Sequence, residues 1–316
     1  MPTITGIRVG PLVATGYAIG ATVVNFTLGP IRPWLPSDLA HVTHWWDANN
    51  AASFNAASGA ITSWAPRFGT GTLTQATAAN RPTRGASTQN GLPVIAFDGV
   101  NDALILADGS GVGNTTRGSM TVAIAATFSG TGGTSTLISR GTSGLDGYWN
   151  FDQGAAGGRF SIASASGTGS VNGATADTTT FRTRIGTQSG LSVRFYRDGT
   201  NYGGVGTIPV MPGTTAGEFR LGCRVVMDPA TQYGPGLIGD VVIVGEALTT
   251  ADRQRLEGYL AHKWGTVAFL PADHPYRDAP PVTADDAPAG TTADFAFTPS
   301  AIAEDAAAGT SVGSLT

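Results

Sequence analysis

Between residues 37 and 245 the chain breaks into short runs of apolar and polar alternation, each closed by Gly, Asn, Asp or Ser. A period of two sends successive side chains to opposite faces, the mark of a half-buried strand. Residues 121–128 put Val122, Ile124, Ala126 and Phe128 on one face. Phe181-Arg182-Thr183-Arg184-Ile185 places Phe181 and Ile185 inward and both arginines outward. Residues 191–196 repeat the pattern and end at Asp198-Gly199, a hairpin-turn pair. Residues 237–244 are nearly all apolar and read as a strand buried on both faces. Many short strands at turn-punctuated spacing predict an all-β sandwich or jelly roll.

Composition narrows the field. Glycine supplies 45 of the 316 residues, about twice the usual share. It follows no three-residue period, which excludes collagen. A hydrophobic content of 41% with a net charge of −4 can bury a core, which speaks against disorder. No basic run exists to track a nucleic acid. Cys223 is the sole cysteine, so no disulfide forms within the chain. No apolar stretch approaches the ~18 residues of a membrane span. The N-terminus, with Arg8 as its one early cation and Gly10, Gly16 and Gly20 interrupting it, makes a poor signal peptide.

One helix stands out. Thr249 is placed to cap it with Asp252 three residues on, and Leu256, Tyr259, Leu260 and Trp264 share a face. Gly265 is its natural stop, and Pro271 lies beyond. Such a helix after a β-domain is expected to seal the rim of the sandwich. The remainder divides into an N-terminal unit, 1–36, a domain, 37–278, a Pro-containing linker, 279–294, and the start of a further β-unit, 295–316. The first unit reads either as a loose tail or as an assembly arm that orders on a partner or a sister subunit. Val23, Val24, Phe26, Leu28 and Trp34 favour the arm.

Three segments carry a family resemblance. One is His44-Trp45-Trp46-Asp47-Ala48-Asn49, followed by Gly59, Trp64 and residues 74–82. The second spans residues 90–102. The third runs from Gly239-Asp240 through Ala247-Leu248-Thr249 to residues 257–265 and 270–276. Together they resemble the laminin-G-like jelly-roll module of the concanavalin A-like lectin/glucanase superfamily, over about residues 38–281, in the variety found in phage structural and bacterial surface proteins. Residues 297–315 resemble the opening of a cadherin-like repeat, in which Glu304 stands where that family places a calcium-linked glutamate.

The resemblance implies an outward jelly roll that binds glycan through loop aromatics, here Tyr148, Trp149, Tyr202 and Tyr233, with Trp45, Trp46, Trp64 and Trp264 in the core. Catalytic relatives carry an E-x-D-x-x-E strand. The four glutamates, Glu218, Glu246, Glu257 and Glu304, fall in no such pattern. Asp146 and Asp152 read as turn formers, so the expectation is a non-catalytic protein. Asp98, Asn101 and Asp102 offer the oxygens that calcium takes, but an Asx-capped turn without metal is the stronger reading. His41 and His44 point to opposite faces and make a poor zinc pair, and His274 reads as a packing residue. The expected setting is a virion. The protein would be a phage tail or head fibre held by residues 1–36 to other virion proteins, a homo-oligomer with a trimer favoured. A bacterial surface adhesin and a purely structural decoration are the alternatives.

Overall fold

The computed structural model describes residues 17–19, 22–24 and 32–283, with breaks at 58, 110, 130–134, 142–145, 155–156, 174–178, 214–216 and 225–231. Strands β1 (Tyr17–Ile19) and β2 (Thr22–Val24) pair antiparallel, and only their backbone is described. Then come β3 (Val42–Asp47), β4 (Phe54–Ala57), β5 (Ala60–Trp64), β6 (Leu73–Thr74), β7 (Thr83–Gln89), β8 (Leu92–Phe97) and β9 (Leu104–Leu106). Next are β10 (Ser119–Ala126), β11 (Ser135–Arg140), β12 (Trp149–Gly154), β13 (Gly157–Ser164) and β14 (Gly167–Asn172). The last are β15 (Arg182–Ser189), β16 (Ser192–Arg197), β17 (Thr200–Thr207), β18 (Phe219–Leu221) and β19 (Gly236–Val244), followed by the helix α1 (Thr250–Trp264).

The pairings make two layers. The first runs β4-β5-β6-β9-β18-β11-β12-β13-β14, all antiparallel. The second runs β7-β8-β19-β10-β15-β16-β17, with β3 beside β8 on the same flank of β19. Period-two alternation turns one face of each layer toward the other. In the first layer Leu104, Leu221, Ile138, Phe151, Phe160 and Val171 stand in one register row, all buried. Burying one such side chain contributes about 1.5–3 kcal/mol. Trp46 of β3 stacks on Phe219 of β18 at 5.2 Å and joins the layers. The predicted jelly-roll sandwich is the fold observed.

The layers close where β14 meets β17, and glycine is required there for its size. A Cβ at Gly206 would lie 2.5 Å from the Ser170 carbonyl oxygen, and one at Gly169 2.7 Å from the Ile208 nitrogen. Only residues without a side chain let the two backbones approach this closely.

The helix matches its predicted signals. The Thr249 hydroxyl accepts from the Asp252 N–H at 3.1 Å, and Gly265 ends the helix in the left-handed region, at φ +68°. It covers the outer face of the second layer, rather than the rim, with Leu256, Leu260 and Trp264. Trp264 lies on Gly239 of β19 and packs against Phe181 at 5.5 Å. This cover inverts one expectation. Ile185 faces the helix, whereas Arg184 lies on the inner side, 2% exposed, donating to the Ala126 carbonyl at 2.7 Å with its guanidinium over the Phe128 ring. Arg182 pairs with Asp198 at 3.2 Å instead of reaching into solvent. With both faces of the layer covered, alternation no longer separates core from solvent.

An ion cluster ties the helix to β3 and β19. Asp240 is fully buried and accepts from the indole N–H groups of Trp45, at 2.7 Å, and Trp264, at 2.6 Å. Lys263 reaches Asp240 at 2.8 Å and Asp47 at 2.7 Å, and Arg67 meets the other oxygen of Asp47 at 2.7 Å. Every strong acceptor in the cluster has a donor, as buried charge demands.

The two ends of the domain lie side by side. Trp34 donates its N–H to the Pro281 carbonyl at 3.1 Å, Thr283 donates to Arg32 at 3.0 Å, and Pro33 bridges Val282 antiparallel. Trp34, expected in the arm, is 4% exposed and packs edge-on against Tyr259 at 5.9 Å. It belongs to the domain core because the helix offers it an aromatic wall. Val23 and Val24 fall in β2. Phe26, Leu28, the cadherin-like segment and Glu304 lie outside the described residues.

Candidate functional site

The helix lies on the second layer; the face of the first layer turned away from the core is polar, half-buried to exposed toward β4–β6 and buried at Ser139, Asn150 and Ser161. Its register row runs Asn55, Ser63, Thr74, Ile105, Arg220, Ser139, Asn150, Ser161 and Ser170, polar at every step but one. On β12 Trp149 and Phe151 point into the core, so Asn150 and Asp152 point out. On β13 Phe160 and Ile162 point in, so Arg159 and Ser161 point out. Both strands alternate cleanly because their β-hairpin holds one register throughout.

Polar groups concentrate on β12 and β13. Asp152 accepts two bonds from Arg159, the Nε bond at 2.9 Å, and a third from the Asn150 amide at 2.7 Å. The Ser161 and Ser170 hydroxyls meet at 3.0 Å. Tyr148 enters the same cluster from the end of β12, and its phenol sits in the fields of Arg224, Asp152 and Arg159. Burial pushes that phenol above its ordinary range, while Arg224 pulls it down. The hydroxyl is buried and makes no hydrogen bond among the described residues.

Arg224 arrives on the stem of a hairpin that leaves β18. Cys223 bridges Tyr233, Gly234 donates to Gly222 at 2.9 Å, and the Ser139 hydroxyl holds the Cys223 carbonyl at 3.0 Å. The Arg224 guanidinium lies over the Tyr148 ring, 5.4 Å from its centroid, and Nη1 donates to the Gln232 amide oxygen at 2.8 Å. The side chain of Arg159 is 35% exposed and gives the cluster its opening to solvent.

The four aromatic candidates therefore separate. Tyr148 belongs to this face, 2% exposed. Tyr233 stands at its edge, half-buried and bridged to Thr136 and Cys223. Trp149 is fully buried on the opposite face of β12, where its indole donates to the Gly113 carbonyl at 3.0 Å. It has no ring face to offer a sugar. Tyr202 lies at the β14–β17 seam with Arg197 donating to its hydroxyl at 2.9 Å, away from the cluster. Asp152 is a strand residue and not a turn former. Asn150, Asp152, Arg159 and Arg224 are the site residues that sequence reasoning missed. The alternation in residues 149–152 and 159–162 was the available signal.

Asp98, Asn101 and Asp102 form the Asx-capped turn. Asp98 Oδ1 accepts from the N–H groups of Val100 at 2.8 Å, Asn101 at 3.2 Å and Asp102 at 3.3 Å. Asp102 Oδ2 accepts from the Asp98 N–H at 3.0 Å. Among the described residues no three of His, Cys, Asp or Glu gather as a metal site. A separate cleft of about 130 Å³ is lined by Thr43, Gly111, Gly113, Asn114, Arg117 and Gly245. It is smaller than the ~300 Å³ of ordinary ligand pockets.

Residues 98–252 match the laminin-G-like family model described as the concanavalin A-like lectin/glucanases superfamily. That part of the chain is similar in sequence to this superfamily. No curated protein matches the chain in sequence. Among solved structures, the Trypanosoma rangeli sialidase in complex with 2,3-difluorosialic acid is similar, with a TM-score of 0.51 and 14% identity over 80% of this chain and 37% of the sialidase. The same organism's sialidase bound to sialic acid gives 0.51 and 14% over 80% and 36%. The binding domain of botulinum neurotoxin serotype G gives 0.44 and 12% over 59% and 48%. The chain thus spans little more than a third of the sialidase, and at this identity the likeness shows the fold alone.

Proposed function

We propose that the chain is a carbohydrate-binding module that performs no catalysis of its own and is displayed in several copies on a virion fibre. The observation that carries the reading is the polar row on the face of the first layer turned away from the core, where Arg159 and Ser170 are partly exposed and Asn150, Asp152, Ser161 and Tyr148 are buried behind them. Amides, hydroxyls and an ion-paired guanidinium beside an aromatic ring are the groups that fix a sugar. Among the described residues, the carboxylates Asp152 and Glu218 of this face are each taken up by an arginine, Arg159 and Arg220. Neither stands as the proton donor a glycosidase requires. Display on a fibre is supported by the low charge content, 13%, and by the β1–β2 pair ahead of the domain, which suit a chain held in an assembly. Multivalency then turns weak single sites into useful avidity.

A glycan array probed with the full chain tests the reading. Binding to a defined group of glycans, lost on Arg159→Ala and unaccompanied by any change in glycan chain length, is the expected result. Silence across a broad array, or shortening of the glycans, overturns it. Light scattering of the purified chain checks the copy number, for which a trimer is expected.

A further inference from the structure

The ion cluster under α1 holds an amine between two buried carboxylates. Lys263 Nζ lies 2.8 Å from one oxygen of Asp240 and 3.1 Å from the other. Contact with both oxygens sets the carboxyl carbon between them at about 3 Å from Nζ, the distance at which reacting atoms meet. The same Nζ is 2.7 Å from Asp47 Oδ1. Asp240 is 0% exposed, Asp47 1% and the Lys263 side chain 11%. The rings of Trp264, Tyr259 and Trp45 lie around the amine, with centroids 5.2, 5.6 and 5.7 Å away. The two carboxyl groups are held differently. Asp47 has Arg67 on its second oxygen at 2.7 Å and the Asn49 N–H on its first at 2.8 Å. Asp240 accepts one indole N–H on each oxygen, from Trp45 on Oδ1 at 2.7 Å and from Trp264 on Oδ2 at 2.6 Å. Burial raises the Asp240 carboxyl, and Lys263 pulls against that.

We infer that Lys263 and Asp240 condense into an intramolecular isopeptide bond, with Asp47 as the proton carrier. An ammonium has no lone pair, and a carboxylate resists attack. Passing one proton from Nζ to Oδ2, the nearer oxygen of Asp240, leaves two neutral groups, the form that a dry pocket favours. The Nζ lone pair then adds to Cγ of Asp240. The Trp45 indole N–H donates to Oδ1, the oxygen that gains negative charge, as an oxyanion hole does. Asp47, whose charge Arg67 balances, takes a proton from Nζ and passes it to the departing hydroxyl. The Nζ–Cγ bond forms, the Cγ–Oδ2 bond breaks and one water leaves. No oxidant, nucleotide or second protein is consumed. The fold assembles the three groups, since β3 supplies Asp47, β19 Asp240 and α1 Lys263. The bond pins the last turn of α1 to β19.

Mass spectrometry of the purified full chain tests this. The intact mass is expected to fall short of the sequence mass by one water. Digestion should release the segments holding Asp240 and Lys263 as one branched peptide, with trypsin no longer cutting after Lys263. Lys263→Arg keeps the cation but offers no free amine, so it restores the full mass. Asp47→Asn keeps the shape of the proton carrier without its charge and should slow crosslinking at least tenfold. Circular dichroism matching the parent chain establishes that each variant is folded, and the branched peptide of the parent decides the question even where a variant is not. Full mass in the folded parent overturns the inference, as does a link at any carboxyl other than Asp240. A water loss that persists in Lys263→Arg marks a succinimide, as at Asp98-Gly99 or Asp198-Gly199, and also overturns it. Undiminished crosslinking in Asp47→Asn overturns the part assigned to Asp47.

Discussion

Replacing Lys263 with Met probes the clamp between helix and sheet. Met keeps the apolar stem, which leads to an Nζ lying 5.2 Å from the Trp264 ring centroid and 5.6 Å from that of Tyr259, and removes only the charge. Two carboxylates then lose their shared cation, at 2.7 Å from Asp47 and 2.8 Å from Asp240. Asp240 is 0% exposed and Asp47 1%, so water cannot replace the lysine. Removing one partner of a buried pair destabilises by about 3–5 kcal/mol. For a domain of this size that lowers the midpoint of thermal unfolding by roughly 10 °C. The pH dependence gives the sharper test. Burial holds the Asp240 carboxyl above its ordinary value, with Lys263 pulling against it. Without Lys263 the carboxyl rises further, and the folded protein keeps a proton that the unfolded chain has released. Stability therefore falls as pH rises above the ordinary carboxylate value of ~3.9 and recovers as pH drops toward it. Urea unfolding followed by tryptophan fluorescence between pH 4 and 8 should show the deficit of Lys263→Met largest at neutral pH and shrinking toward pH 4. A deficit below about 1 kcal/mol, or one equal at both ends of that range, would refute the reasoning, since buried unpaired charge predicts neither.

The other expectations are simpler. Gly239→Ala places a Cβ 2.5 Å from the Trp264 ring and should cost about 1–3 kcal/mol in denaturant unfolding, because the ring is walled in on both sides. Thr249→Ala removes the oxygen that caps α1 and should cost about 1 kcal/mol, visible as a lower urea midpoint at unchanged slope. Tyr202→Ala should leave glycan affinity unchanged while lowering stability, since its ring packs on Phe195 at 5.4 Å, away from the outer-face cluster; a loss of binding would move the site to the β14–β17 seam.

How much of this was legible depends on distance along the chain. The helix was fully readable, because Thr249, Asp252 and Gly265 act within a few residues of its ends. The hairpin of β12 and β13 was readable in principle, since residues 149–152 and 159–162 alternate. That alternation sends Trp149 inward and Asp152 to the opposite face, which denies Trp149 the role of a sugar platform. Arg182 and Arg184 were misplaced because a helix more than sixty residues later covers the opposite face of their strand. Trp34 was misplaced because its wall, Tyr259, is equally remote. Arg224 could not be found at all from local pattern. Its meeting with Tyr148 depends on a hairpin folding back beside β11, which no periodicity encodes.

The clasp between residues 32–34 and 281–283 has a mechanical consequence. Chain entering at Arg32 and chain leaving at Thr283 share one point on the surface, so the jelly roll hangs beside that point and is not a link between two ends of a rod. Tension drawn through the two flanking segments would peel this clasp open one hydrogen bond at a time. The stacked layers would stay out of the line of force. A pendant module of this kind can be dragged by what it grips without its own β-sandwich being the part that yields.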